Sequence, residues 1–337
     1  MFHNFAGTTA DEVWYLAARS LMQDETLPWR TSRSGNTKEI LRACLTVEDC
    51  RQRWIVSRVP PINPAFALAE VVWIVNGLDD ASFLNYFNRY LPKYAGYAPR
   101  YHGAYGYRLR KHRHFDQLQR AYEALMNNPS TRQVVLQIWD SSIDLPDSEG
   151  APATPDIPCN LMSCLNIRQG KLEWLQILRS NDIFLGVPYN FIQFTSLQEI
   201  MAGWLGIEPA SYNQVSNSLH AYEHDLQRFS CMATEAHVSN IDSLALSKEA
   251  SEDVFDELAA AIRAIINPAT TSGDIYKHAH SNKLPRPYHN VLLILSAEGI
   301  RRRGEPEQSW ELVRQCSNPA LCFAMQRWME TTAARAR

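Results

Sequence analysis

Two strand-like runs, residues 160–168 and 171–179, flank Gln169-Gly170, a pair suited to a tight hairpin turn. A hairpin folds this stretch back on itself and gathers a dense polar cluster. Its leading end carries Pro158-Cys159. Its trailing end carries Arg179, Ser180, Asn181 and Asp182, then Leu185-Gly186-Val187-Pro188-Tyr189-Asn190. A thiol, a guanidinium, a hydroxyl, a carboxylate and an amide in one stretch can hold an anion, orient a planar amide-like ring and attack it. The segment before Cys159, residues 141–157, is Pro, Asp, Ser, Gly and Ala with almost nothing bulky. It reads as a surface loop that delivers the chain to the thiol.

Around this hairpin the pattern alternates irregularly between helix and strand. Residues 9–23 read as a helix with Thr9 as its cap and Asp11 and Glu12 in its first turn. Residues 30–60 carry Gly35, strand-like pieces and Pro60-Pro61. Asn63-Pro64 opens a helix over Ala65 to Val75 that ends at Asn76-Gly77. A helix is expected near 115–127 and a strand from Arg132 to Asp140. Residues 190–205 read as an amphipathic helix with Phe194, Leu197, Met201, Trp204 and Leu205 at helical spacing, stopped by Gly206. A strand is expected at 212–222, then helical segments near 222–233, 252–266 and 308–332. No repeat or low-complexity tract interrupts this order. The absence of a regular βαβ alternation predicts an α+β fold rather than a doubly wound sheet.

Apolar residues are 45% of the 337, enough for a sizeable core. A net charge of −3 supplies no global field toward nucleic acid or an anionic membrane, so any phosphate must be caught by a few placed arginines. No apolar run approaches the ~18 residues needed to span a bilayer. Seven cysteines without a CxxC pair argue against a disulfide framework and a structural zinc site. The N-terminal residues are neither a basic n-region nor an apolar h-region. Together these features predict a cytoplasmic protein with reduced thiols.

Several residues carry candidate chemistry, each with a plainer alternative. Cys159 follows a proline at the edge between loop and strand. A nearby arginine would raise its thiolate fraction, making it a soft nucleophile for an activated carbon such as C6 of a pyrimidine. A small buried hydrophobe is the ordinary alternative. Glu70 interrupts an almost wholly apolar run, Phe66 to Val75. Desolvation there would raise its pKa and suit it to acid–base work; a solvated helix face or a structural pair is the alternative. Arg179 with Ser180 suits a phosphate, as do Arg33 and Arg132, although lone arginines are usually surface charges. The Asn190 amide can match the N3–H and O4 edge of uracil, or simply cap a helix. His220 and Tyr222, two apart on one strand face, could bind a sugar hydroxyl.

In this order the residues resemble the thymidylate synthase family. Pro158-Cys159 is similar to its nucleophile segment. Arg179-Ser180-Asn181-Asp182 and Leu185-Gly186-Val187-Pro188-Tyr189-Asn190 resemble its central signature, and His220-Ala221-Tyr222 its later His-x-Tyr. Arg33-Ser34-Gly35, Glu70-Val71-Val72-Trp73 and Tyr105-Gly106 resemble its upstream elements. The resemblance implies a mixed, curved β-sheet packed with helices and an obligate homodimer formed through the sheet, with shared active sites. It implies Cys159 as nucleophile on a pyrimidine nucleotide monophosphate, with Glu70, Tyr105, Asn190 and Asp182 assisting. Arg33, Arg179 and Ser180 would bind the phosphate, with Arg132 reaching it from the other subunit. His220 and Tyr222 would hold the 3′-hydroxyl. The cofactor would be 5,10-methylenetetrahydrofolate, with Asp182 and Trp73 on its side. Residues 1–240 would form the catalytic domain. Residues 241–337 would be a divergent, mainly helical extension packed on it, without an assigned catalytic role. Neither nucleic acid nor membrane is expected as a partner.

The departures from the pattern bear on the product. Arg132-Gln133 replaces a pair of arginines, which removes a charge-assisted bond of about 1.5–3 kcal/mol. Asn160 follows the nucleophile where the family usually has His, and Asn217-Ser218 replaces Gly-Asp. The two tryptophans that wall the folate pocket have no counterpart; Phe87, Tyr90 and Tyr94 lie in that region. The chain runs through Ala333-Ala334-Arg335-Ala336-Arg337 rather than a short apolar tail. Such a site could admit water and give hydroxymethyl rather than methyl. The expectation is dUMP to dTMP, methylation being the commoner family activity. The alternatives are 5-hydroxymethylation of dUMP or of a cytosine nucleotide such as dCMP or CMP, and a non-catalytic nucleotide-binding homologue. Asn190 argues for uracil, although a flipped amide can match cytosine.

Overall fold

The hairpin of the sequence analysis lies inside one mixed sheet, in a computed structural model that describes residues 1–32, 35–231 and 238–336. Arg33 lies outside the described residues. In chain order the first elements are β1 (His3–Gly7), α1 (Ala10–Gln23), β2 (Arg30–Ser32), β3 (Gly35–Val47), β4 (Arg58–Val59) and α2 (Pro64–Val75). Thr9 and Glu12 form a reciprocal capping box on α1. The Asn63 side chain accepts from Phe66 N at 3.1 Å, and Pro64 occupies the first turn of α2. Then come α3 (Ala81–Asn85), α4 (Pro92–Ala95), α5 (Tyr105–Arg110), α6 (Gln117–Asn127), β5 (Val134–Gln137) and α7 (Ser141–Asp144).

The central strands are β6 (Asn160–Arg168) and β7 (Lys171–Leu178). Gln169 and Gly170 both take positive φ, 50° and 73°, as a type I′ turn requires. β8 (Asn181–Asp182), α8 (Val187–Leu205), β9 (Glu208–Tyr222), α9 (Glu223–Arg228) and β10 (Ser230–Cys231) follow. The remainder is helical: α10 (Lys248–Ile266), α11 (Ser272–Ser281), α12 (Arg286–Arg302), α13 (Pro306–Gln315) and α14 (Pro319–Ala336).

The sheet order is β1-β3-β9-β7-β6-β5, with β2 on β3 and β8 on β9. β1/β3, β7/β9 and β8/β9 are parallel and the other pairs antiparallel. This is the mixed sheet packed with helices expected of the chain. No helix among the described residues is long and apolar enough to cross a membrane.

Several expectations change. Helix α8 is buried on nearly every side rather than amphipathic, because the sheet covers one flank and α2, α6 and α10 the others. The strand expected at 132–140 shortens to β5. The helix expected over 222–233 stops at Arg228, and Ser230–Cys231 pairs instead with Arg58–Val59. Residues 308–332 divide into α13 and α14 around Cys316–Asn318. The 141–157 segment is not wholly surface loop. Asp144 is 1% exposed and accepts two hydrogen bonds from the buried Arg108, at 3.0 and 3.1 Å.

Residues beyond 240 share the same hydrophobic core. Helix α12, absent from the sequence expectations, packs against α2, α10, α11, α13 and α14. A Cβ at Gly299 would come within 2.6 Å of Ile265 Cγ2, so α12 and α10 pack tightly there. Arg302 donates to Phe87 O at 2.7 Å and Arg303 to the Tyr86 hydroxyl at 2.7 Å. Arg327 of α14 hydrogen-bonds Val56 O. Phe87 is thereby a core residue at 1% exposure.

Candidate active site

The hairpin carries Arg179 back to the start of β6. Arg179 N donates to Cys159 O at 2.9 Å, its Nε to Pro158 O at 2.9 Å, and one terminal nitrogen to Ile157 O at 3.0 Å. The same nitrogen lies 3.9 Å from Cys159 Sγ. One arginine therefore holds three consecutive residues, Ile157 and Pro158 through its guanidinium and Cys159 through its backbone, and its guanidinium stands beside the sulfur. The ring of Trp139 lies 5.6 Å from the guanidinium carbon. The loop is also held from behind: His102 and Arg108 both bond Asp144, and Gly103 N donates to Asp156 at 2.7 Å.

Helix α5 sets the facing wall. A Cβ at Gly106 would lie 2.4 Å from Ile74 O, so only glycine lets α5 approach the end of α2 this closely. This contact places the Tyr105 hydroxyl on the Asn160 side chain, with Cys159 and Glu70 nearby. Burial and the neighbouring thiol hold the Tyr105 phenol well above its usual range. Glu70, on α2, hydrogen-bonds Gln193 of α8 and leaves Oε2 buried without a partner among the described residues. Burial pushes its pKa up to about 8.

Asn190 is 6% exposed on the first turn of α8, but it is not the cap; Gly186 occupies that position. Its amide accepts from Asn160 Nδ2 at 3.3 Å and donates to Asn181 Oδ1 at 3.0 Å. Across the hairpin mouth Ser180 Oγ lies 3.4 Å from His220 Nδ1, and Tyr222 packs edge-on against the His220 ring. The cluster therefore unites Cys159, Arg179, Ser180, Asn190, His220, Tyr222, Tyr105 and Glu70 around the ends of β6, β7, β9 and α8.

Residues 29–265 match the family model described as thymidylate synthase. The chain belongs to the thymidylate synthase family. It is 33% identical over 204 residues to a deoxyuridylate hydroxymethyltransferase of Bacillus phage SP01, covering 57% of this chain and 52% of that protein. It is 36% identical over 173 residues to a deoxyuridylate hydroxymethyltransferase of Pseudomonas phage M6, covering 51% and 48%. It is 29% identical over 191 residues to a thymidylate synthase of Clostridium beijerinckii, covering 54% and 62%. The chain thus spans about half the length of the two hydroxymethyltransferases.

The thymidylate synthase fold brings some candidates together and leaves others apart. Arg132 is exposed and precedes β5. The β5–β6 pairing sets Gln137 opposite Met162 and Val134 opposite Leu165, so Arg132 sits at the far end of this pair from Cys159. Six residues, four of them in β5, separate it from Trp139, roughly 20 Å of extended chain. It is remote from the sulfur of its own chain. Trp73 is 5% exposed, and its indole N–H donates to Asp80 O at 3.2 Å. Asp182 spends Oδ1 on the backbone of Phe184 and Leu185, at 2.7 and 2.9 Å.

Two groups escaped the sequence reading. Arg58 is 4% exposed, its Nε and one terminal nitrogen unpaired among the described residues. It lies 4.5 Å from the Phe229 ring centroid, with Tyr189 and Asp182 close by. Asp225 is 1% exposed with both carboxylate oxygens lacking a hydrogen bond among the described residues. Burial, then the Asp182 charge, raises its pKa, and Tyr94 stands in the same neighbourhood. No spacing marks either residue in the sequence, because β4 and α9 meet only through the fold.

Proposed function

We propose that this chain transfers a one-carbon unit from 5,10-methylenetetrahydrofolate to C5 of a uracil nucleotide, with dUMP as the first candidate. The observation that carries this reading is Cys159 Sγ standing 3.9 Å from the Arg179 guanidinium. Around that pair, Tyr105, Asn160 and Asn190 form a hydrogen-bonded wall.

In this reading Cys159 attacks C6, and the pyrimidine becomes an enolate across C5 and O4. Arg179 stabilises the attacking thiolate and, with Ser180, receives the 5′-phosphate. Asn190 offers one acceptor and one donor to the base. Glu70, neutral over much of the physiological range, can donate a proton toward O4 through water. Tyr105 assists removal of the C5 proton. His220 and Tyr222 hold the sugar hydroxyl. Arg132, remote from its own chain's sulfur, serves the phosphate of a second copy in a homodimer built through the sheet.

The folate fits the residues present. The Asp225 oxygens, which have His224 Nε2 at 3.6 Å but no hydrogen bond among the described residues, and two Arg58 nitrogens are acceptors and donors of the kind a planar pterin satisfies. Asp182 and Tyr94 stand beside them. When bound, the cofactor supplies carbon at the methylene level. Asp182 and Asp225 would orient it, and Tyr94 would cover it.

The product depends on what meets the exocyclic methylene formed at C5. Hydride gives dTMP, and water gives 5-hydroxymethyl-dUMP. One observation favours water. Phe87 is withdrawn into the core while Tyr90 and Tyr94 are 46% and 55% exposed, so this segment provides no indole wall against solvent. The names of two relatives point the same way. Incubation with dUMP and methylenetetrahydrofolate, followed by mass measurement, decides. A methyl gain with dihydrofolate is synthase; a hydroxymethyl gain without it is hydroxymethylase. A covalent ternary adduct with 5-fluoro-dUMP and folate is expected, and its absence would mark a non-catalytic binder.

A further inference from the structure

A line of buried side chains runs behind Asn190. Trp174 Nε1 donates to Gln176 Oε1 at 3.2 Å, and Ser163 Oγ donates to the same oxygen at 2.5 Å. Gln176 Nε2 donates to Asn160 Oδ1 at 2.9 Å, and Asn160 Nδ2 donates to Asn190 Oδ1 at 3.3 Å. Asn190 Nδ2 donates to Asn181 Oδ1 at 3.0 Å, and Asn181 Nδ2 donates to Ser216 Oγ at 3.3 Å. Ser163, Gln176, Asn160 and Ser216 are fully buried, and Trp174 and Asn181 are 1% exposed.

Each carboxamide in this line accepts at one end and donates at the other, so the series has a direction. The hydroxyls can rotate to serve either direction, and the amides could flip together. The indole cannot follow, because its N–H only donates. A reversed series would set Gln176 Nε2 against Trp174 Nε1, two buried donors facing each other with no acceptor between them.

We propose that the Trp174 indole, acting through Gln176 and Asn160, fixes which end of the Asn190 carboxamide faces each position of the pyrimidine, and so sets the uracil-against-cytosine preference. The inference rests on Asn190 reading the base, as proposed above. Uracil presents a donor at N3 and an acceptor at O4; cytosine presents the opposite pair. An amide free to turn serves both, whereas one held from behind serves one. Trp174 and Gln176 touch no substrate in this scheme and are positioning residues. The selectivity comes from the unmet buried group that the wrong base would leave.

The test uses the full chain and measures dissociation constants for dUMP and dCMP by calorimetry. Trp174→Phe keeps the packing and removes only the donor; Gln176→Met breaks the series one step later. Each is expected to shrink the ratio of the two constants by about tenfold, largely by improving the disfavoured nucleotide. A merely structural role weakens both nucleotides alike and leaves the ratio unchanged, which overturns the proposal. Equal binding of both by the wild type also overturns it. If Gln176→Met does not fold, the Trp174→Phe ratio decides, with circular dichroism as its folding check. Should the wild type bind neither nucleotide, the base-reading role of Asn190 fails and this inference with it. Retained selectivity in a folded variant defeats the relay alone.

Discussion

Gln193 donates one hydrogen bond to Glu70 across the α2–α8 contact, and Glu70 Oε2 and Gln193 Oε1 are left buried without a partner among the described residues. The pair is thus under-satisfied in the folded protein. Such a site favours the neutral acid and presents two acceptors that a bridging water would satisfy.

This arrangement has a pH signature. The folded protein holds the Glu70 proton to about 8, against 4.5 for an ordinary glutamate. Its raised pKa means stability is unaffected below the lower value and is lost as pH rises through the window between them. The slope reaches up to about 1.4 kcal/mol per pH unit. Urea unfolding of wild type and Glu70→Gln from pH 5 to 8 should show the wild type losing ground to the variant as pH rises. Parallel pH profiles would refute the shift. Turnover by the variant should fall with smaller change in nucleotide affinity.

Cys159→Ser should abolish turnover while leaving nucleotide binding largely intact, because Arg179 and Ser180 remain. Full activity by product assay would remove Cys159 from the nucleophile role.

Arg132 lies at the opposite end of the β5–β6 pair from Cys159. If it serves a second subunit, Arg132→Ala weakens nucleotide binding, and mixing Arg132→Ala with inactive Cys159→Ser restores a site that neither mutation touches. Turnover at low nucleotide concentration, which neither homodimer supports, is the expected result in the mixture. No recovery after verified subunit exchange would return Arg132 to the ordinary surface.

Asp144 and Arg108 are both buried, and their bidentate pair anchors the loop before Cys159. Asp144→Ala strands a buried guanidinium, at a cost of about 3–5 kcal/mol in denaturant unfolding. A loss under 1 kcal/mol would show that the loop is held mainly by its other bonds.

Gly106→Ala sets a methyl against the Ile74 carbonyl. The resulting shift of α5 should cost about 1–3 kcal/mol and carry Tyr105 away from Asn160. The rate of C5 proton release, followed by tritium exchange from C5-labelled nucleotide, should fall further than nucleotide affinity does.

Local chemistry was legible wherever a few adjacent residues decide the backbone. Thr9 with Glu12, Asn63 with Pro64, and Gln169 with Gly170 each satisfy or redirect groups within one turn, and each element forms where expected. The apolar spacing over 190–205 was enough to show α8, though not its burial on nearly every side. Helix α12 was not expected: an apolar period reveals a helix by contrast with a polar face, and most of α12 is buried.

The order of residues along the chain was enough to indicate the family, the hairpin and the meeting of Cys159 with Arg179, because a two-residue turn leaves antiparallel strands one register. The direction of the amide line behind Asn190, the neighbourhood of Arg58 and Asp225, and the distance of Arg132 from its own sulfur were decided only in three dimensions. Each depends on groups brought together from separate elements. Hydrogen-bond polarity and burial belong to those meetings and not to any single stretch of chain.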